Sequence, residues 1–350
     1  KSEYTKAIKK IIPRVKFSVK TPQIKTTKNE NLKTQVSVRP SGLTLVTRIQ
    51  KETPTFSLRA AVLGGVRYEN PQLSGSIELL SRTWTAGSRS YSEEMINTIT
   101  ESVSAGLGAF GGRNTMGLTL DGLSPNQEEL FPVFFDVLAN PTFEKEKIDR
   151  EKTAQLNRLK TKKDNPAQLC FQRFHELMFK THPYSRDILG SPETLEAVST
   201  EVLREIHKEL VCSRNLVLVA IGDFDQKKLE AHISQLEEQI STGKAFRVEL
   251  KAPEHPAGEK GTIELQKEQT HIVLGYPGLT INSPERYTLD IIQSVLAGQG
   301  GRLFLELRDK NSLAYTVSPV RMEGIEAGYF GTYIGCSPEK AQKAISMMRE

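Results

Sequence analysis

The sequence predicts an α+β fold of two homologous domains, each a largely antiparallel sheet covered by helices. Short β-rich runs alternate with longer segments of helical period along the chain. The order of these segments repeats at an offset of about 215 residues, which is typical of duplicated domains rather than of a solenoid. With 350 residues, 37% hydrophobic and 25% charged, the chain has an ordinary globular composition.

The domain borders follow from composition and from the repeat. Residues 1–35 are rich in Lys and Thr and have little periodicity, so we expect a basic leader or linker there. The first domain is predicted over 36–248 and the second over 249–350. The second copy stops before counterparts of the helices that close the first copy, so we expect the second domain to be truncated.

The first domain is predicted to begin with two paired strands and to continue with helices around a hairpin. Ser92 and Ser124 are expected N-caps, and Ser124 has Pro125 at the first helical position and Gln127 completing a capping box. The predicted elements are strands at 42–50 and 55–64, helices at 71–86 and 92–105, a hairpin at 107–123, helices at 124–140, 144–162, 165–179 and 192–210, and a buried strand at 215–224.

The second domain repeats this order. Ser337 and Pro338 correspond to the Ser-Pro pair that opens a helix of the first copy, and Ser337 is an expected cap. The predicted elements are strands at 261–268 and 270–278, helices at 283–298 and 300–310, strands at 312–320 and 326–335 that form a hairpin, and a helix at 337–348.

Composition excludes several function classes. The net charge is only +5, and no basic run is interleaved with aromatic residues, so nucleic-acid binding is not expected. Cys170, Cys212 and Cys336 lie far apart without C-x-x-C spacing, which gives neither a disulfide framework nor a zinc knuckle. No apolar run is long enough for a membrane span.

Two stretches carry a resemblance to a known family. "HPYSRDILGSPETLEAVSTEVLREIHKELVCSRNLVLVAIGDFD" (182–225) and "YPGLTINSPERYTLDIIQSVLAGQGGRLFLELRDKNSLAYTV" (276–317) resemble the middle and the second domain of the pitrilysin-like zinc peptidases. That family includes mitochondrial processing peptidase, insulin-degrading enzyme and bacterial two-subunit relatives. The match extends from about residue 37 to residue 350.

The resemblance implies a zinc motif in the first domain, H-x-x-E-H, whose central Glu is the general base. The corresponding stretch, "SGSIELLSRTWTAGS" (74–88), keeps the frame but has no histidine. Alignment on Gly75 and on Gly87-Ser88 gives the ligand and base positions, with a later Glu ligand placed on the helix after residue 144. These degenerate zinc-site positions are Glu78, Ser81, Arg82 and Arg158, whereas Glu151, two turns before Arg158, is kept.

This replacement predicts a site without metal. Catalytic zinc takes three protein ligands and water, and an arginine, always charged, is no ligand. We therefore expect no cofactor on this chain, with zinc carried by a partner. We also expect Glu78 to pair with Arg82, one helical turn away, and with Arg158. The six histidines include no i,i+4 pair and are expected at the surface or as caps: His175, His182, His207, His232, His255 and His271.

In the second domain, the resemblance implies that a functional pair is kept. The family's peptide-binding Arg and Tyr correspond to Arg308 and Tyr315 in "RDKNSLAY". Such a pair can hydrogen-bond a substrate carbonyl and stabilise developing negative charge. The stretch "AGQGGR" resembles the family's Gly-rich loop, which implies substrate binding at Gly298, Gly300 and Gly301. The alternative for this pair is that Arg308 is an ordinary helix-surface residue and that Tyr315 packs in the sheet. The alternative for the glycines is an ordinary loop between helices.

The combination predicts the non-catalytic subunit, or half, of a two-part zinc metalloendopeptidase. The expected partner is a chain or half with a complete H-x-x-E-H motif, and the substrate is a peptide or unfolded protein. The alternative is a structural, non-peptidase core subunit of a larger complex; an autonomous metallopeptidase is disfavoured by the lost ligands. The sequence does not fix the location of the protein; a bacterial periplasmic or cytoplasmic location is favoured over a mitochondrial one.

We predict that the purified chain holds far less than one zinc atom per molecule, because arginines occupy two of the ligand positions. Elemental analysis after dialysis against a zinc-containing buffer measures this directly. A stoichiometric zinc content would show that the alignment of Glu78, Ser81, Arg82 and Arg158 is wrong.

Overall fold

The computed structural model describes residues 33–246, 250–253 and 258–350. Most of the predicted leader lies outside these residues, and Gln35, expected as its last residue, instead begins the first strand. The strands are β1 (Gln35–Val38), β2 (Thr44–Ile49), β3 (Thr55–Leu63), β4 (Gly106–Gly111), β5 (Thr115–Leu123), β6 (Leu216–Gly222), β7 (Thr270–Gly278), β8 (Ala314–Glu323) and β9 (Gly328–Cys336).

The helices lie where apolar periodicity predicted most of them. Their bounds are α1 (Ser76–Thr83), α2 (Glu93–Ser102), α3 (Gln127–Ala139), α4 (Lys145–Lys163), α5 (Pro166–Phe179), α6 (Pro192–Glu196), α7 (Thr200–Leu210), α8 (Gln226–Gln239), α9 (Arg286–Leu296), a π-helix (Phe304–Lys310) and α10 (Ala341–Arg349). Within the described ranges, none combines the length and apolar character needed to cross a membrane.

The first sheet has the strand order β1-β2-β6-β3-β5-β4. The predicted pairing of β2 with β3 is wrong, because β6 lies between them, parallel to β2 and antiparallel to β3. Residues 215–224 were predicted to form a buried strand, and β6 is buried on one face only: Leu218 is covered and Ile221 is exposed. Alternate side chains of a strand point to opposite faces, and the helices cover one face of β6.

Apolar side chains of this sheet and its helices form one large core. Trp84 at the end of α1 is fully buried and donates an indole hydrogen bond to the Val137 carbonyl of α3 (3.0 Å). Phe56 of β3 meets Phe131 of α3 edge to face at 5.2 Å. Helix α1 is thereby fixed inside the core, and nearly all of its residues are buried.

The second sheet has the order β7-β9-β8, antiparallel throughout. This is the order of β3-β5-β4, so the repeat seen in the sequence appears in the strand topology. The strand predicted at 261–268 is wrong: this segment has no regular structure, and Ile263 and Leu265 are exposed. In the first sheet β2 is held by β6, and the described residues contain no counterpart of β6 beside β7.

Several helix predictions differ in detail. The helix expected at 71–86 is a 3₁₀ turn at Pro71–Leu73 followed by α1, and that expected at 192–210 is divided into α6 and α7. Ser92 caps α2 as predicted. The capping box at Ser124 is wrong, because its hydroxyl donates to the Asp223 carbonyl instead. Helix α8 was not predicted.

A buried polar cluster joins the second sheet to the first. Glu326, in the turn between β8 and β9, accepts hydrogen bonds from two guanidinium nitrogens of Arg67, and both side chains are almost fully covered. The Tyr184 hydroxyl lies between Glu326 Oε2 (3.2 Å) and Asn114 Oδ1, and it accepts the Ile325 N–H (2.9 Å). The turn is therefore held by charge and hydrogen bonds that water does not reach.

We predict that Arg67→Met lowers the free energy of unfolding by about 3 kcal/mol, because it leaves the buried Glu326 carboxylate without its cation. The double variant Arg67→Met/Glu326→Leu recovers most of that loss. Urea denaturation followed by circular dichroism measures both. Lys145→Met, which breaks the exposed pair with Asp149, is the control with little effect. A double variant as unstable as the single one would contradict this prediction.

Candidate functional site

Helix α1, which carries the degenerate motif, begins at a position that only glycine fits. Gly75 has φ +91°, and a Cβ there would lie 2.6 Å from the Leu189 carbonyl oxygen. Glu69 accepts the backbone N–H groups of Gly75 (3.2 Å) and Ile77 (2.8 Å). A buried carboxyl thus satisfies the first turn of α1, where the helix dipole favours negative charge.

Glu69 was not found by sequence reasoning. It lies in a loop several residues before α1. From sequence alone, an acidic residue in such a loop does not indicate that its carboxyl binds the first turn of the helix. Burial raises the pKa of Glu69 to about 7, although its backbone hydrogen bonds oppose this rise. Its Oε2 atom and the Oε1 atom of Gln155 are both buried and unpartnered in the described structure, and the Gln155 amide donates to the Gly75 carbonyl (3.1 Å).

One turn into α1, Glu78 is the centre of a three-residue charge cluster. Its side chain is buried, and its Oε1 atom accepts hydrogen bonds from Arg82 Nε (2.9 Å) and Arg158 Nη1 (2.7 Å). Both predicted ion pairs are therefore confirmed. Ser81 Oγ donates to the Glu78 carbonyl (2.8 Å). The structure thus brings all four degenerate positions together, from α1 and α4.

This cluster does not fit zinc. The Oε1 atom of its single carboxylate, Glu78, is engaged by two guanidinium groups, and a metal ion there would lie beside two fixed positive charges. Across the described ranges, no group of three or more His, Cys, Asp and Glu side chains is placed to hold a metal ion. No chemical step in this chain is therefore assigned to a bound metal.

The histidines occupy different environments. His182 acts as a cap, since its Nδ1 accepts the Tyr184 N–H (3.2 Å). The surface expectation is wrong for His207, which is buried against Trp84 and donates from Nε2 to the Leu138 carbonyl (3.0 Å). Burial lowers the pKa of His207 to about 4. His255 lies outside the described residues.

Arg308 and Tyr315 are on neighbouring elements of the second sheet's domain. Arg308 is exposed on the π-helix, with its guanidinium carbon 4.9 Å from the centre of the Phe304 ring. Tyr315 is 60% exposed and lies at a β-bulge between Ala314 and Thr316 on β8. A bulge turns one side chain away from the ladder, and π-helical turns are frequent at functional sites.

The three loop glycines differ in their surroundings. Gly301 is buried, and a Cβ there would lie 2.1 Å from the Ala297 carbonyl oxygen, so the turn itself requires glycine. Gly298 and Gly300 are exposed, with open space where a Cβ would point. Only these two present backbone that a ligand can approach freely.

The chain is similar to known peptidases along most of its length. The family model "Insulinase (Peptidase family M16)" matches residues 45–192, and "Peptidase M16 inactive domain" matches 197–350. An uncharacterized zinc protease of Streptomyces coelicolor is 27% identical, covering 89% of this chain and 69% of that protein. A probable mitochondrial-processing peptidase subunit beta of Arabidopsis thaliana is 21% identical, covering 86% of this chain and 59% of that protein.

A solved structure gives the same fold. The crystal structure of a peptidase M16 inactive domain from Pseudomonas fluorescens superposes with a TM-score of 0.85 at 22% identity, covering 91% of this chain and 77% of that chain. The predicted α+β fold is therefore confirmed.

We predict that Glu69→Gln removes a pH-dependent loss of stability. The folded pKa is raised, so the stabilising effect of the protonated Glu69 is complete below about pH 4.5 and is lost as pH rises through about 7. The rise corresponds to about 3 kcal/mol. Urea denaturation of both proteins between pH 5 and pH 8 measures the difference, and parallel stability curves would contradict the prediction.

Proposed function

This chain belongs to the peptidase M16 family, and we propose that it is a non-catalytic member that works beside a zinc-bearing partner. The partner supplies the complete H-x-x-E-H motif, and this chain supplies peptide-binding groups from its second domain. The substrate is a peptide or unfolded protein chain held between the two.

The observation that carries the proposal is the charge cluster around Glu78. Arg82 and Arg158 stand where the family resemblance places metal ligands, and both bond to the one remaining carboxylate. A chain of this family with such a site has no means of activating water through zinc. Its contribution to proteolysis then lies in binding and in charge stabilisation.

Arg308 and Tyr315 suit that contribution. A Tyr kept only for packing would be buried, whereas Tyr315 is well exposed at the bulge of β8. Arg308 offers several N–H donors and Tyr315 one O–H donor, which can bind a peptide carbonyl and stabilise an oxyanion in the partner's site. Gly298 and Gly300 leave accessible backbone near the start of the π-helix.

The alternative is a structural subunit of a larger complex, without a part in proteolysis. Such a subunit has no chemical need for an exposed Arg and phenol, so the two proposals differ in what loss of these groups does. Mixing experiments with a zinc-bearing family member distinguish them.

We predict that this chain has no peptidase activity alone and raises the activity of an H-x-x-E-H family partner on a quenched fluorescent peptide. Tyr315→Phe and Arg308→Ala each reduce the kcat of the mixture by about 10²-fold, the typical cost of losing an oxyanion donor. Tyr287→Phe and Arg286→Ala are matched controls, because Arg286 is half-buried, Tyr287 is exposed, and the two are in contact with each other. Full activity of the mixture with both site variants would favour the structural alternative.

A further inference from the structure

We propose that Arg82 and Arg158 form a carboxylate-binding site in place of the family's metal site, and that its ligand is a carboxylate group of a peptide. The proposal rests on the proposed function only in taking peptides as the ligand class. It assigns a binding role to the first domain of this chain, independent of Arg308 and Tyr315.

The first argument is unused hydrogen-bonding capacity. Each guanidinium group has about five N–H donors. Arg82 engages Glu78 through Nε, and Arg158 engages it through Nη1. Among the described residues the remaining donors of the two groups have no hydrogen-bond partner. Two parallel N–H groups of one arginine match the two oxygens of a carboxylate.

The second argument is the arrangement of charge. Two cations share one anion, so the cluster keeps an excess positive charge. The Glu78 side chain is only 8% exposed, whereas those of Arg82 and Arg158 are 55% and 35% exposed. The Glu78 carboxylate therefore lies beneath the two guanidinium groups, which face solvent. Glu151, two turns before Arg158 on α4, is paired with Arg150 (3.0 Å).

The third argument is the neighbouring backbone. Strand β4 crosses α1 closely, since a Cβ on Gly111 would lie 3.1 Å from Ser81 Oγ and from the Ile77 carbonyl oxygen. In the described sheet β4 is an edge strand, with the backbone groups of its outer side unpaired by another strand. Ser81 therefore lies against β4, and Arg82 follows it on α1. We place the bound chain along this edge, with its acidic group on the arginines.

The test is binding of fluorescein-labelled nonapeptides to the isolated chain, measured by anisotropy at low and physiological salt. One peptide has a free C-terminal carboxylate, one is amidated with an internal Glu, and one is amidated with Gln in its place. We expect salt-sensitive binding of at least one of the first two, and binding at least about tenfold weaker for the Gln peptide.

Variants locate the site. Arg82→Gln and Arg158→Gln each weaken binding about tenfold, and Glu78→Gln strengthens it because the competing anion is gone. Arg82→Lys keeps charge but loses the paired donors, and gives an intermediate affinity. Arg89→Gln, an exposed arginine just beyond α1, is the matched control and changes nothing. Thermal unfolding of every variant identifies any that fails to fold.

The outcomes separate cleanly. Preference for the free C-terminus identifies a terminal carboxylate as the ligand, and preference for the internal Glu identifies an acidic side chain; either supports the site. Equal binding of all three peptides, or binding that Arg82→Gln and Arg158→Gln leave unchanged, overturns it. No zinc partner or cleavage is involved, so failure of the mixing experiment leaves this result intact, and the reverse also holds.

Discussion

The buried ion pair of Arg67 and Glu326 is a contact on which the arrangement of the two sheets depends. Two charges withdrawn from water cost several kcal/mol unless they meet in good geometry with further hydrogen bonds. Here Tyr184 and the Ile325 N–H complete the set. The turn of the β8–β9 hairpin is thereby fixed against the first sheet, while the opposite end of β8 carries the exposed Tyr315. The hairpin thus connects the buried ion pair at one end to the candidate peptide-binding tyrosine at the other.

Local pattern predicted the elements well and their pairing poorly. The hairpins β4–β5 and β8–β9 and most helices follow from turn residues and apolar period. The pairing of β2 with β6 does not follow from these patterns. The two strands are far apart in sequence, and neither contains a residue pattern that indicates which strand lies beside it. The missing strand at 261–268 shows the same limit, since β-forming residues become a strand only beside a partner with free backbone groups.

The same division holds at the site. The contact of Glu78 with Arg82 follows from helical spacing, and that with Arg158 came from the family alignment, which joins two helices far apart in sequence. Neither helical spacing nor the family alignment could identify Glu69. Its role depends on burial against the first turn of α1, and burial is known only from the fold. The sequence could say which ligands were lost, but not that two cations would share one covered anion.

The insertion of β6 between β2 and β3 also constrains the order of folding. Strands β4 and β5 form a local hairpin, whereas β2 pairs with β6, Thr44 with Val217. Contacts between distant segments form slowly, because closure of a long loop costs entropy before any contact repays it. During synthesis β1 and β2 emerge before β6 and can pair with each other, but the edge of β2 that pairs with β6 stays open until β6 has been made. Strands β1 and β2 are thus among the last to join the sheet, and until then the open edge of β2 is accessible to chaperones and to misfolding.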